Sequence, residues 1–472
     1  MPIPVLNVAQ MREWENLAWA SGITQDSVMR RAGEAVACCA EGLTRPDARI
    51  LILAGKGHNG DDAAFAHEYL RGRRGELLRI IDPATGLREL NERLRAGRAL
   101  IVDGLFGIGL NRPLDGAWPA LIERVNESRA PILAVDVPSG LDADTGRPLD
   151  TAIRATHTLT FAGIKRGLLA ASASEFVGRL EVAGNIGLAA PPFSTELHAT
   201  TPNDFAEYPP TRPAAGHKGS FGHLAIIAGS PGYHGAAVLA ARGAQRAQPG
   251  LITLCAEPGV RLPIAAQLQS VMVHDGTEDF VVPTNATAIL VGPGLASPAY
   301  PEDRIRAIRR LWQESPLPIV ADASALDWLP EEPSRPNTPL RVITPHPGEA
   351  ARMLRCTVAE VQQDRVAALR ELSRRWGNCH VMLKGQHTLI GQATGPIAVN
   401  LSGNPHLAQG GAGDLLAGYI AGLLAQPVLR HDIPRTIQFA AWQHGAAADA
   451  LFAKRPNFII EELAGELGLV TP

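Results

Sequence analysis

At 472 residues the chain is too long for one ordinary hydrophobic core, so two or three domains are expected. With 46% hydrophobic and 19% charged residues, its composition is that of a folded protein and excludes a disordered one. The 44 basic and 47 acidic residues leave a net charge of −3 without a long block of one sign, which argues against a nucleic-acid binder or an acidic-membrane binder.

In chain order, Val8 to Ala20 and Gln25 to Gly42 have helical spacing. RILILAG (Arg49 to Gly55) is a short apolar run ending in glycine and reads as a buried parallel strand. A helical segment, Asp61 to Arg71, follows. LLRII (Leu77 to Ile81), ALIVDG (Ala99 to Gly104) and PILAVDVPSG (Pro131 to Gly140) repeat the strand-then-loop pattern with helices between them, which predicts a doubly wound α/β sheet. From Pro191 to Gly219 the pattern stops in a stretch rich in proline, threonine and small polar residues, the expected linker. It then restarts with strands expected at His223 to Ser230, Leu251 to Ala256, Ala288 to Gly294, Pro318 to Ala323, Arg341 to Glu349 and His380 to Gly385. Two long helices are expected around Leu415 and Trp442. The boundary falls near residue 200, giving domains 1–200 and 201–472.

Cys38, Cys39, Cys255, Cys356 and Cys379 form no C-x-x-C pair and read as buried thiols of a reducing compartment. The N-terminus has no apolar core of signal-peptide length, and no run of about 18 apolar residues is uninterrupted. The expected location is the cytoplasm, with neither a membrane span nor a nucleic-acid partner.

GKGHNGDDA (Gly55 to Ala63) joins a strand to a helix, where glycine turns let backbone N–H groups approach a phosphate. The spacing is not that of a dinucleotide-binding G-x-G-x-x-G, so an ordinary Rossmann cofactor site is disfavoured. Asn59, Asp61 and Asp62 add oxygen ligands suited to a hard cation or a ribose. Asp103 in DGLFGIGLNRPL and Asp136 in DVPSGLDADTG each follow a strand, at the sheet edge where open α/β folds bind ligands. The competing reading makes each a loop or helix cap.

These motifs, together with Lys165 in THTLTFAGIKRG, QMREWE and MRRAG, resemble the N-terminal epimerase domain of the NAD(P)H-hydrate repair family over nearly all of residues 1–200. The resemblance implies a Rossmann-like three-layer sheet. It also implies a potassium ion held by Asn59, Asp103 and Ser139. The hydrate would lie against His58, Asn59, Gly60, Asp61 and Asp62, and against Gly107, Ile108, Gly109, Leu110, Asn111, Arg112 and Pro113. Asp136 would be the acid/base group beside the epimerising carbon, with Lys165 tuning its charge. Two positions depart from the family: Asp61 and Ala63 stand where it has glycine. A side chain at 61 is expected to crowd the loop or force a costly φ.

In the second half, GGAGD runs into an apolar helix, so N–H groups at the helix start form an anion hole and Asp414 is placed to take a proton from a hydroxyl. The competing reading is a capped helix start. GGAGD resembles the signature of ribokinase-like folds. HKGSFGHLAIIAGSPGYHGAA, GPGLA, TPHPGEAARML and LKGQHTLI resemble, in order, the ADP- or ATP-dependent NAD(P)H-hydrate dehydratase. The resemblance implies that Lys384, Gly385, Gln386, His387, Thr388 and Gly413 contact ADP or ATP, with Mg2+ screening the phosphates. Ala236, Gly294, His346 and Asp414 would line the hydrate pocket. The C6 hydroxyl would be phosphorylated and then lost as phosphate, a better leaving group than hydroxide. Ala412 and Gln409 replace common threonines. His346 also reads as a structural loop residue, and Lys218 as either a phosphate contact or a solvated side chain.

The sequence therefore reads as a bifunctional enzyme, an isomerase fused to a lyase, and a homo-oligomer is expected. The alternative is a ribokinase-like small-molecule kinase fused to a non-catalytic binding domain. A kinase leaves a phosphorylated product, whereas the dehydratase releases phosphate.

Overall fold

The computed structural model describes residues 2–276, 280, 282–296, 300–331 and 339–472, and the chain divides into two compact units, Met1–Ala199 and Thr200–Pro472.

The first unit holds a parallel sheet in the order Arg74–Arg79, Arg49–Ala54, Leu100–Gly104, Ile132–Val135, His157–Phe161, Arg179–Ala183. Strands Arg49–Ala54, Leu100–Gly104 and Ile132–Val135 are buried almost throughout because helices cover both faces. Side chains alternate along a strand. Ile50, Ile52 and Ala54 thus join a core with Val36 and Ala37 of helix Gln25–Gly42, whereas Leu51 and Leu53 meet Leu90, Leu121 and Ile122 on the other face. Burial of each of these isoleucine, leucine or valine side chains stabilises by about 1.5–3 kcal/mol as an upper estimate. Chain order reverses direction between Arg49–Ala54 and Leu100–Gly104. In open α/β sheets ligands bind beside such a reversal, at the carboxyl ends of the strands, which here end at Ala54 and Gly104.

Ile3–Leu6 pairs in parallel with Ile164–Lys165 and antiparallel with Leu197–Thr200. The stretch expected as a linker thus contains a strand, and Pro202–Phe205 forms a short 3-10 turn capped by Thr201 and Asp204. Its threonines suit a pleated backbone as well as a loop.

The second unit has seven parallel strands in the order Met272–Asp275, Leu251–Ala256, His223–Ile227, Ala288–Val291, Ile319–Ala321, Arg341–Ile343, His380–Leu383. Antiparallel Thr388–Gly391 and Ile397–Asn400 follow. Chain order reverses between His223–Ile227 and Ala288–Val291. There the two strand-end loops join through Gly229 N–H to the Pro293 carbonyl (2.9 Å) and Ser230 Oγ to the Gly294 carbonyl (2.7 Å).

Helix Ala412–Ala425 is almost wholly buried against helix His234–Ala247. A Cβ on Gly418 would stand 1.8 Å from the Ala240 carbonyl oxygen, so only glycine permits this approach. The helices expected around Leu415 and Trp442 are Ala412–Ala425 and Ile433–Lys454; the seven-residue helix Ile460–Glu466 was too short to show a period. All five cysteines are free thiols, but only Cys255 and Cys379 are buried. Cys38 is exposed, and Cys39 and Cys356 are half-buried, because each lies on a helix or loop face turned partly outward. Among the described residues no single helix is long and apolar enough to cross a membrane.

Candidate active sites

In the first unit, Asp136 follows strand Ile132–Val135 with φ of 65°, a conformation that side chains other than glycine seldom adopt. Its Oδ1 accepts from Lys165 Nζ, from Thr160 Oγ1 (3.1 Å) and from the Phe161 N–H (3.1 Å). Lys165 also donates to Thr160 Oγ1 (3.2 Å) and to the Phe161 carbonyl (3.1 Å), and is 1% exposed. Pairing of Ile164–Lys165 with Ile3–Leu6 fixes the lysine backbone. The result is a buried ion pair held by hydrogen bonds with Thr160 and the Phe161 main chain.

Two further carboxylates act on this pair. Asp62 is buried, and its Oδ1 has no hydrogen-bond partner. Burial, then the negative charge of Asp136, pushes its pKa well above the usual carboxylate range. Glu15, on helix Val8–Ala20, is also shifted upward by burial, with Lys165 lowering and Asp136 raising it. Sequence reasoning gave Glu15 and Thr160 no role. Glu15 was visible only as part of the QMREWE resemblance.

Beside this pair lies an oxygen-rich cluster. Fully buried Asp103 accepts from Ser139 N–H (2.8 Å), Ser139 Oγ (2.6 Å) and Leu105 N–H (3.2 Å). Burial raises its pKa to about 6 against the lowering effect of these bonds. Asn59 Nδ2 donates to the Phe106 carbonyl (2.8 Å), and Phe106 N–H donates to Ser139 Oγ (2.9 Å). Asn59, Asp103 and Ser139 are thereby brought together.

The residues His58 to Asp62, expected as a loop, form the first turn of helix His58–Tyr69. Gly60 explains the tightness: a Cβ there would lie 2.2 Å from the Gly55 carbonyl oxygen. Asp61 does not crowd this turn or require positive φ; it points to Arg79 Nη2 at 3.1 Å. Its acidic side chain sits in the first helical turn, where the helix dipole favours it. His58 is exposed. Gly107 abuts Asn59, and Ile108 packs on the adjoining core. Gly109, Asn111, Arg112 and Pro113 are exposed, with Leu110 half-buried among them.

In the second unit, Gly411 with φ of 95° caps helix Ala412–Ala425, setting Asp414 in its first turn. A Cβ on Gly413 would lie 3.3 Å from Lys384 Nζ and 3.9 Å from Asp322 Oδ2. Lys384 donates to Asp322 Oδ1 (2.8 Å) and stands 3.9 Å from Glu349 Oε2; Thr344 Oγ1 also donates to Asp322 Oδ1 (2.7 Å). Burial alone would pull Lys384 down, but Asp322, Glu349 and Asp414 hold its pKa above the ordinary lysine value. Burial, then the charge of Asp322, raises Asp414 to about 6. Asp322, Thr344 and Glu349 were missed in the sequence, where a lone strand-end aspartate and an acidic helix start carry no distinctive spacing.

Gly294 and Ala236 adjoin: a Cβ on Gly294 would lie 2.9 Å from Ala236 Cβ. His346 is exposed and caps helix Pro347–Leu354, its Nδ1 accepting from Gly348 N–H (2.9 Å). This satisfies its structural reading, and Nε2 lies 3.6 Å from Glu349 Oε1. Gly385 and Gln386 are exposed and His387 and Thr388 half-buried on the turn after Lys384. Lys218 is exposed.

Residues 224–464 match the protein family described as NAD(P)H-hydrate dehydratase, and residues 79–167 match the one described as YjeF-related protein N-terminus. The chain is 35% identical over 467 residues to the bifunctional NAD(P)H-hydrate repair enzyme Nnr of Coxiella burnetii, covering 93% of each chain. It is 33% identical over 458 residues to that of Escherichia coli, covering 92% of this chain and 86% of the relative. Among solved structures, the ADP/ATP-dependent NAD(P)H-hydrate dehydratase of Bacillus subtilis, co-crystallised with ATP and Mg2+, aligns at 28% identity. Its TM-score is 0.50, over 57% of this chain and 95% of that one.

Proposed function

The chain belongs to the bifunctional NAD(P)H-hydrate repair enzymes, and from that premise we propose how its residues divide the work. It epimerises the R and S forms of hydrated NADH and NADPH, and it dehydrates the S form with ADP or ATP.

Epimerisation belongs to residues 1–199. Asp136 exchanges the proton at the hydrated nicotinamide, and Lys165, bonded to its Oδ1 in a buried site, tunes its charge. The helix turn His58–Asp62 and the loop Gly107–Pro113 hold the substrate. Asn59, Asp103 and Ser139 suit a potassium ion: the donors are all oxygen, and only one is a carboxylate, buried with nothing cationic bonded to it. Bound there, the ion would supply a fixed positive charge beside the strand-end loops.

Dehydration belongs to residues 200–472. Asp414 takes the proton of the C6 hydroxyl as its oxygen attacks the terminal phosphorus of the nucleotide, releasing AMP from ADP or ADP from ATP. The C6–O bond then breaks with its electron pair on phosphate, and loss of a C5 proton restores the double bond. Lys384 to Thr388 and Gly413 hold the nucleotide; Ala236, Gly294 and His346 line the hydrate pocket. Buried Asp322 and Glu349, near Lys384, offer carboxylate oxygens that would hold Mg2+, which when bound would screen the phosphate charges.

The observation that carries this reading is the placement of Asp414 in the first turn of a helix whose Gly413 faces Lys384, where an added Cβ would stand 3.3 Å from Nζ. It is tested with a mixture of R- and S-hydrated NADH, ADP and Mg2+. The wild type consumes both epimers and releases phosphate, Asp136→Asn consumes S rapidly and R only at its spontaneous rate, and Asp414→Asn consumes neither. A phosphorylated nicotinamide product without free phosphate would favour the kinase alternative.

A further inference from the structure

Arg365 opens helix Arg365–Arg375 beneath the turn that carries Lys384 to Thr388. Its Nη1 donates to the carbonyls of Gln386 (2.5 Å) and His387 (3.1 Å), and its Nη2 to those of Leu383 (3.1 Å) and Lys384 (3.3 Å). One guanidinium thus collects four carbonyls of a single turn. Across a trans peptide the C=O and the following N–H point to opposite sides. Drawing in the Lys384 and Gln386 carbonyls therefore turns the N–H groups of Gly385 and His387 away from Arg365. Neither N–H has a backbone acceptor among the described residues. The turn needs unusual backbone to do this, with φ of 135° at Gly385 and 53° at His387. A Cβ on Gly385 would lie 3.2 Å from Arg365 Nη2.

We propose that Arg365 is a positioning residue for the nucleotide: by gathering these carbonyls it turns the Gly385 and His387 N–H groups toward the phosphate chain and sets a positive charge behind them. The inference rests on the assignment of Lys384 to Thr388 to the nucleotide. Burial lowers the guanidinium pKa to about 10, so it stays charged at neutral pH. Its Nε has no partner, and the four carbonyls offset the cost of keeping the charge from water.

The test titrates ADP with Mg2+ into the full chain, by calorimetry and steady-state kinetics. Arg365→Met should weaken ADP binding and raise the KM for ADP by roughly tenfold or more, with kcat within about threefold, since uniform binding is lost. Arg365→Lys should fall between, because an ammonium cannot span four carbonyls. Millimolar guanidinium should restore ADP affinity to Arg365→Ala. Lys384→Met separates the two layers of the argument. If it weakens ADP binding while Arg365→Met and Arg365→Lys bind as wild type, the role of Arg365 is overturned and the loop assignment stands. If Lys384→Met binds ADP normally, both fall. A lowered kcat with unchanged KM in the Arg365 variants would show a merely structural part and overturn the inference.

Discussion

Lys165 Nζ rests against Asp136 Oδ1, the lysine side chain 1% and the aspartate side chain 12% exposed, with Thr160 and the Phe161 carbonyl completing the lysine's shell. Either partner left alone would be an uncompensated buried charge. Lys165→Met should therefore destabilise the first unit by about 3–5 kcal/mol and abolish epimerisation. The double variant Lys165→Met/Asp136→Asn should recover much of that stability in chemical denaturation and none of the activity. Equal destabilisation in single and double variants would show that the pair has no special coupling.

Asp62 offers the opposite balance. Its unpartnered Oδ1 and its raised pKa mean that folding takes up a proton at pH values between the ordinary carboxylate value of 3.8 and the higher folded value. The native state binds more protons there, so stability falls as pH rises through that window. Asp62→Asn removes this liability. It should melt at a higher temperature than wild type at pH 7 to 8, and the difference should vanish below about pH 4, where both states hold the proton. A variant that melts lower at pH 8 would contradict the assignment.

Much of this was legible in the sequence because strands covered on both faces leave long apolar runs. Ile50 to Ala54 and Leu251 to Ala256 read as strands for that reason, and the strand-end residues Asp103 and Asp136 and the helix-start residue Asp414 follow from their place after an apolar run or a glycine loop. What stayed hidden depends on contacts between distant segments. Asp322 and Lys384 are 62 residues apart, and Arg365 meets its carbonyls 18 to 22 residues away. The short pairing of Ile3–Leu6 with Ile164–Lys165 is set by tertiary closure, not by periodicity. The first turn of helix His58–Tyr69 was hidden by its glycine, which local propensity counts against a helix but which the Gly55 carbonyl requires.

Asn59, Asp103 and Ser139 give a concrete expectation for potassium. Exchange of K+ for choline should lower the epimerase rate and the melting temperature of the first unit, and re-addition of K+ should restore both. Asp103→Asn should lose this response while keeping its hydrogen bonds to Ser139 in altered form. Dehydration of pure S hydrate should not change with the cation. Equal activity of wild type in choline and in K+ would remove the ion from the account.

Helix packing positions the second site. At Gly418 an added Cβ would stand 1.8 Å from the Ala240 carbonyl, and main chain cannot yield cheaply. Gly418→Ala should therefore cost about 1–3 kcal/mol by overpacking and reduce dehydratase activity by shifting the start of the Asp414 helix. Gly465, within helix Ile460–Glu466, has nothing within 4 Å of such a Cβ. Gly465→Ala should leave activity alone and add up to roughly 1 kcal/mol of stability. Thermal melts and phosphate release on both variants check the contrast.

In the proposed dehydration Asp414 has to be ionised to accept the hydroxyl proton, and burial and the charge of Asp322 lift its pKa to about 6, while Lys384 pulls the other way. For dehydration of pure S hydrate, kcat/KM should therefore be proton-inhibited, rising with pH through about 6 and levelling above 7, because this parameter reports the free enzyme. Asp322→Asn removes a neighbouring negative charge, so its profile should shift to lower pH. Asp414→Asn should lose roughly 100- to 10,000-fold in kcat and with it the acid limb. Lys384→Met should shift the remaining activity toward higher pH, since the ammonium no longer favours the carboxylate. A profile of wild type that is flat from pH 5 to 8, with a rate insensitive to Asp414→Asn, would assign the proton transfer to another group.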